Sequence, residues 1–154
     1  MVLSYLFIIA FLVAADQFSK QVIVTYLPLN DKRELISNFF YLTNVRNNGA
    51  AWSMLEGKQL LFIIITIGAV LLFSYLLFKK NNITKLEKIS YLLIIGGAIG
   101  NLIDRVINNY VIDFLDFYIF GYDFPVFNLA DCFLTVGVFL YIIAAILESK
   151  SAKH

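Results

Sequence analysis

Hydrophobic residues gather along this chain into four long runs, near residues 2–24, 60–78, 89–107 and 131–147, separated by mixed or polar connections. A helix of about 20 residues rises roughly 30 Å, the thickness of a bilayer's hydrocarbon core, so each run predicts a membrane-spanning helix. The second run, LLFIIITIGAVLLFSYLLF, holds no charged residue and predicts a lipid-facing span without chemistry of its own. In the third, Gly96, Gly97, Ala98 and Gly100 form a thin face that another helix can approach closely. The first run has a rival reading as a cleaved signal peptide, since Val13-Ala14-Ala15 resembles a small-residue cleavage site. No Lys or Arg precedes the run, however, and apolar residues resume after Asp16, which favours a span.

The connections alternate in character. Residues 26–58 open on a turn signal, Pro28-Leu29-Asn30-Asp31, and continue through an aromatic and β-branched stretch, residues 35–45, that suits strands. Asn47-Asn48-Gly49-Ala50-Ala51-Trp52 follows, read on its own as a turn with an interfacial tryptophan anchor. The connection 79–88 carries Lys79, Lys80, Lys85 and Lys88, which marks it as cytoplasmic by the positive-inside rule. Lys150 and Lys153 agree, so four spans place both termini in the cytoplasm. Residues 108–128 predict a strand pair or an irregular interfacial surface, with a turn at Gly121-Tyr122-Asp123 and a limit at Pro125.

Composition narrows the function classes. Hydrophobic residues make up 60% of the 154 and charged residues 15%, against about 25% charged in an ordinary soluble domain. One membrane domain over 1–154 is the simplest organisation. A net charge of +1 gives no sign of nucleic-acid binding. The single cysteine, Cys132, rules out an internal disulfide and a multi-cysteine metal site, and is read as a small buried apolar residue. The single histidine, His154, argues against histidine triads and histidine-rich metal sites.

Against that background the stretch 96–131 stands out, because it holds Asp104, Asp113, Asp116, Asp123 and Asp131 between two apolar runs. A carboxylate near hydrocarbon costs several kcal/mol unless it is paired, hydrated or protonated, so these are functional candidates. Asp16 and Lys20, four apart on one helix face, are read as a structural ion pair. Asn128 suits an N-cap, with Asp131 in the first turn behind it. Asn101 shares a face with Asp104, and Arg105 is placed to neutralise Asp104 or a neighbouring carboxylate.

Three chemistries use such carboxylates. Two that lie close together cannot both ionise, so one can act as base on water and the other as acid on a carbonyl oxygen. Several can hold Mg²⁺ or Mn²⁺, in a lipid-modifying transferase for example, although no compact acidic run here could clamp a diphosphate. One can carry protons beside a Lys or Arg, although four short spans leave little room for an alternating pathway. Within the first class Asp113, flanked by Ile112 and Phe114 with no adjacent cation, is preferred over Asp104 as partner of Asp131. That preference is modest, and Asp104 with Asp131 stays open.

Five motifs then follow in order: Asp16-Gln17-x-x-Lys20; Arg46 through Trp52; Gly96-Gly97-Ala98-x-Gly100-Asn101-x-x-Asp104-Arg105; Val111-x-Asp113-Phe114; and Phe127-Asn128-x-Ala130-Asp131. Each is weak alone. Together, with matching hydropathy, they resemble lipoprotein signal peptidase (signal peptidase II), a family of bacterial membrane aspartyl proteases. The resemblance implies a mainly α membrane protein of four transmembrane helices, an extracytoplasmic β-cradle and a short amphipathic element over the active site. It implies Asp113 and Asp131 as the catalytic pair. Asp16, Lys20, Asn47, Gly100, Asn101, Asp104, Arg105, Asn128 and Ala130 are implied as supporting or substrate-binding positions. The implied substrate is a diacylglyceryl-modified prolipoprotein, cut before its lipidated cysteine. The expected setting is the bacterial plasma membrane, with the site near the extracytoplasmic face and lipid as a second partner. A monomer without metal or other cofactor is expected.

Overall fold

The computed structural model of the protein describes residues 2–49, 57–79 and 82–151. Ala50, Ala51 and Trp52, and the lysines at 80 and 153, lie outside the described residues. In chain order the elements are α1 (Val2–Tyr26), β1 (Lys32–Ile36), β2 (Phe40–Asn47), α2 (Gln59–Lys79), α3 (Lys85–Asn108), β3 (Val111–Ile119), β4 (Tyr122–Asp123) and α4 (Leu129–Ser151). All four helices are long and apolar enough to cross a membrane.

The third helix is the axis of the bundle. Half of its residues are buried, and it packs against α1, α2 and α4. The others turn most of their surface outward, as lipid permits. On α1 the buried positions are Leu12, Asp16, Lys20 and Ile23, a single stripe at helical spacing. On α2 only Leu77 is buried, in accord with its uniformly apolar sequence. Close approach to α3 rests on its glycines. A Cβ at Gly96 would stand 2.8 Å from Leu12 Cβ, one at Gly97 2.5 Å from the Ala130 carbonyl oxygen, and one at Gly100 2.6 Å from Asp16 Oδ2. The small-residue face read from the sequence is therefore the face that receives both α1 and α4.

Helix α3 begins at Lys85, four residues before its apolar run. Thr84 and Glu87 form a reciprocal capping box there, so the lysine-bearing connection supplies the helix's polar first turn. It ends at Asn108 and is capped by Asn109, whose left-handed conformation (φ 63°) lets its N–H donate to the Arg105 carbonyl at 3.2 Å.

The two long connections build one antiparallel sheet, ordered β1-β2-β3-β4. Stacked rings fasten it, with Phe40 on Phe117 at 4.5 Å and Phe117 on Phe127 at 5.7 Å between centroids. The turn after β3 falls on Phe120 and Gly121, both at positive φ, one residue earlier than the sequence signal. Between Leu42 and Val45 the register of β2 against β3 shifts by one residue. Beyond this bulge Val45 lies opposite Asp113 and Asn47 opposite Val111. Because alternate residues share a face, Asn47 and Asp113 come to the same side of the sheet.

Candidate active site

The end of α3, the start of α4 with the segment before it, and the β2–β3 pair converge on a cavity of about 380 Å³. Its walls include Asn47, Asn101, Arg105, Asp113, Phe127 and Asp131. The two aspartates preferred from the sequence therefore meet at one cleft, one from a strand and one from a helix.

Each carboxylate is held by asparagines. Asp113 Oδ1 accepts from Asn128 Nδ2 at 2.7 Å, and its Oδ2 accepts from Asn47 Nδ2 at 2.8 Å. Asp131 Oδ1 accepts from Asn101 Nδ2 at 2.7 Å, and its Oδ2 from the Asn128 backbone N–H at 3.1 Å. In return the Asp131 backbone N–H donates to Asn128 Oδ1 at 3.0 Å. Asn128 and Asp131 thus form the N-terminal cap of α4 read from their spacing, and the same asparagine side chain also reaches Asp113. The cap and the cleft are one structure.

Asp113 is 3% exposed. Burial, then the charge of nearby Asp131, push its carboxyl up to about 7, partly offset by the bonds from Asn47 and Asn128 and by Lys20. The linkage has a definite sign. Between the ordinary carboxyl range and pH 7 the folded chain keeps a proton on Asp113 that the unfolded chain has lost. Folding stability from this group therefore falls as pH rises across that window, by on the order of a few kcal/mol. Chemical denaturation in detergent micelles from pH 4.5 to 8 should show that decline, and Asp113→Asn should flatten it.

Behind the cleft lies a second polar cluster. Lys20 Nζ contacts Asp16 Oδ2 at 2.8 Å, Asp104 Oδ2 at 3.0 Å and Asn101 Oδ1 at 3.0 Å. The ion pair of Asp16 and Lys20 is present, and it is wider than expected. Asp104 is held by Lys20, not by Arg105. Successive side chains on a helix diverge by about 100°, so Asp104 turns toward α1 while Arg105 turns into the cleft. There the Arg105 guanidinium lies 5.0 Å from the Phe62 ring centre, and its buried Nε has no hydrogen-bond partner among the described residues. Asp16 Oδ1 accepts from the Ala130 N–H at 3.0 Å, and Gly100 leaves room for that carboxylate.

All eleven candidate positions thus collect at one end of the bundle. Asp116 and Asp123 do not join them. Asp116 pairs with Lys32 at 2.6 Å elsewhere on the sheet, and Asp123 is exposed on β4. Gln17 is not among the site positions expected from the sequence, yet its amide donates to Asp16, Asp104 and the Gly100 carbonyl, each at 3.1 Å. A glutamine between two charges in an apolar run was the available signal. Cys132 is half-buried rather than buried. It lines an adjoining apolar hollow of about 390 Å³, of which Phe124, Phe127 and Asp131 are shared walls with the cleft.

A bundle of bilayer-length helices, capped by a small sheet over a cleft lined by two aspartates, defines a multi-pass membrane protein with a polar site at one end of its helices. Residues 8–147 match a family model described as signal peptidase (SPase) II. A lipoprotein signal peptidase of Staphylococcus aureus strain MRSA252 is 43% identical over 147 residues, covering 96% of this chain and 90% of that protein. Two solved bacterial membrane enzyme structures, both determined by the in meso method, share the fold. One, at 2.3 Å resolution, has a TM-score of 0.89 and 42% identity, covering 100% of this chain and 93% of the other. The second, at 1.9 Å, has a TM-score of 0.84 and 43% identity, covering 94% of each. The chain belongs to the signal peptidase II family. It is accordingly a protease of that family and a multi-pass bacterial membrane protein.

Proposed function

We propose that this protease is an aspartyl endopeptidase that removes the signal peptide from diacylglyceryl-modified prolipoproteins, with Asp113 and Asp131 as its catalytic pair. The observation that carries the reading is their shared cleft: two carboxylates on different elements, Asp113 buried and Asp131 half-buried, each tied to Asn128, line one cavity. In the mechanism one carboxylate, ionised, takes a proton from water as the water oxygen attacks the scissile carbonyl carbon. The other, protonated, donates to the carbonyl oxygen. Collapse of the tetrahedral intermediate breaks the C–N bond, and the amine leaves with a proton returned by the pair. The two groups titrate jointly.

The apolar hollow beside Asp131 supports the substrate class, since lipid chains can lie against Phe124, Phe127 and Val136 while the peptide bond reaches the carboxylates. Arg105, whose Nε has no hydrogen-bond partner among the described residues, stands at the cleft wall and is suited to an ester or carbonyl oxygen of the substrate. The lysines of the α2–α3 connection support a cytoplasmic location for that end of the bundle, and with it for both termini. The cleft then lies near the extracytoplasmic face, and one chain holds every residue of the site.

Purified protein incubated with a diacylglyceryl-cysteine precursor and with its unlipidated twin tests this reading. Product from the lipidated precursor alone is expected, and a chelator should leave the rate unchanged. Equal cleavage of both would remove the lipid requirement. Loss of activity with chelator, restored by Mg²⁺, would replace the aspartyl mechanism by a metal-dependent one.

A further inference from the structure

We infer that Lys20, buried on α1 behind the cleft, is a positioning residue that sets the polarity of the asparagine network and so presents only hydrogen-bond donors to the two aspartates. This rests on the assignment of Asp113 and Asp131 as the catalytic pair.

An asparagine side chain can turn either its oxygen or its NH₂ toward a neighbour, and nothing in its own shape chooses between them. A lysine ammonium has no such choice, because it only donates. Its three protons are spent on Asp16, Asp104 and Asn101. Asn101 must therefore turn its oxygen to Lys20, which leaves its NH₂ facing Asp131 at 2.7 Å. The same oxygen accepts from Asn128 Nδ2 at 3.1 Å, and that NH₂ also donates to Asp113 at 2.7 Å. Asn128 is fixed from its other end as well, since its oxygen accepts from the Asp131 N–H. One buried cation thus orients two amides, and those amides supply donors to both carboxylates. Donors favour the ionised form of a carboxylate. With Lys20 gone, Asn101 is free to turn its oxygen toward Asp131, an arrangement that needs a proton between them.

The charged and titratable groups facing the pair come from three helices. They are Asp16 and Lys20 on α1, Asp104 and Arg105 on α3, and Cys132 on α4. Removing Lys20 alone would leave Asp16 and Asp104 together without a cation, so the informative variant is Lys20→Met combined with Asp104→Asn. That double change removes one charge of each sign.

The measurement is the pH dependence of kcat and KM for a lipidated precursor, with thermal unfolding in parallel. In the double variant the acid limb of kcat should move up by roughly half to one pH unit, with KM little changed because Lys20 does not line the cleft. Asp104→Asn alone disturbs the same packing but keeps the ammonium, and should not move the limb upward. Lys20→Arg keeps a donor-only cation at the position and should leave the acid limb in its native place, a test that stands even if the double variant does not fold. An acid limb that stays in its native place in a folded double variant, or that moves up as far in a folded Lys20→Arg, would overturn the inference and leave Lys20 as a tie between helices. Normal cleavage by Asp113→Asn would instead overturn the assignment of the pair, a distinct result.

Discussion

Asp113→Asn and Asp131→Asn should each lower the rate of cleavage of a lipidated precursor by roughly 10⁴-fold, the upper range for loss of a general acid or base. The double variant should be no worse than either single one, because groups that act as a unit are not additive. Protein should still accumulate in the membrane, since asparagine matches aspartate in shape. At position 113 the substitution sets one new NH₂ against the donors from Asn47 and Asn128. That mismatch costs about one hydrogen bond, near 1 kcal/mol, far less than is needed to unfold the bundle. Asp123→Asn is the matched control, because the same charge is removed from an exposed position on β4. Single-turnover assays on purified variants decide the matter. Near-native cleavage by Asp113→Asn, with none by Asp104→Asn, would move the pair to Asp104 and Asp131.

Much of this arrangement is legible in the residues themselves. Long apolar runs have one common solution in a bilayer, so hydropathy alone located four spans. The glycines of α3 declared a contact face, and the three-residue spacing of Asn128 and Asp131 declared a cap. Hydropathy is weakest where an element is polar, so the apolar run starts later than α3 itself: the helix's first turn, Lys85 to Lys88, is held by a capping box rather than by lipid. The turn at Phe120 was displaced for a related reason. A phenylalanine at positive φ runs against local preference, and the signal pointed to the residues after it.

The partners of the buried charges were the least legible feature. Asp104 stands beside Arg105 in sequence, but its cation is Lys20, 84 positions away. Sequence adjacency on a helix separates side chains, and only the packing of α1 against α3 reveals the true pairing. The bulge in β2 that brings Asn47 to Asp113 likewise leaves no mark in composition. Position-by-position chemistry could narrow the pair only modestly, between Asp113 and Asp104 as partner of Asp131. Their environments differ: Asp104 pairs with Lys20 behind the cleft, whereas Asp113 lines it.

Gly97→Ala should damage both folding and cleavage, and more severely than one added methyl group suggests. The new Cβ would meet the Ala130 carbonyl oxygen at 2.5 Å, with Leu134 Cγ at 3.0 Å and Leu134 N at 3.1 Å. Two of those atoms belong to the backbone of α4, so no side chain can simply turn aside. The first turn of α4 must retreat from α3 by about 1 Å to restore an ordinary contact, a strain of about 1–3 kcal/mol or more. That turn carries Asp131 and follows Asn128, while Asn101 lies one turn along α3 from the substitution. The 2.7 Å bond from Asn101 to Asp131 therefore stretches with it. A misplacement of this size costs roughly 100-fold in rate. Gly68→Ala on α2 provides the contrast, because nothing stands within 4 Å of its Cβ position. There the loss of glycine from a helix interior should be neutral or stabilising by about 0.5–1 kcal/mol. Thermal unfolding and cleavage measured side by side distinguish the two. Native stability and native rate in Gly97→Ala would mean that α3 and α4 do not meet as closely at the cleft as this fold requires.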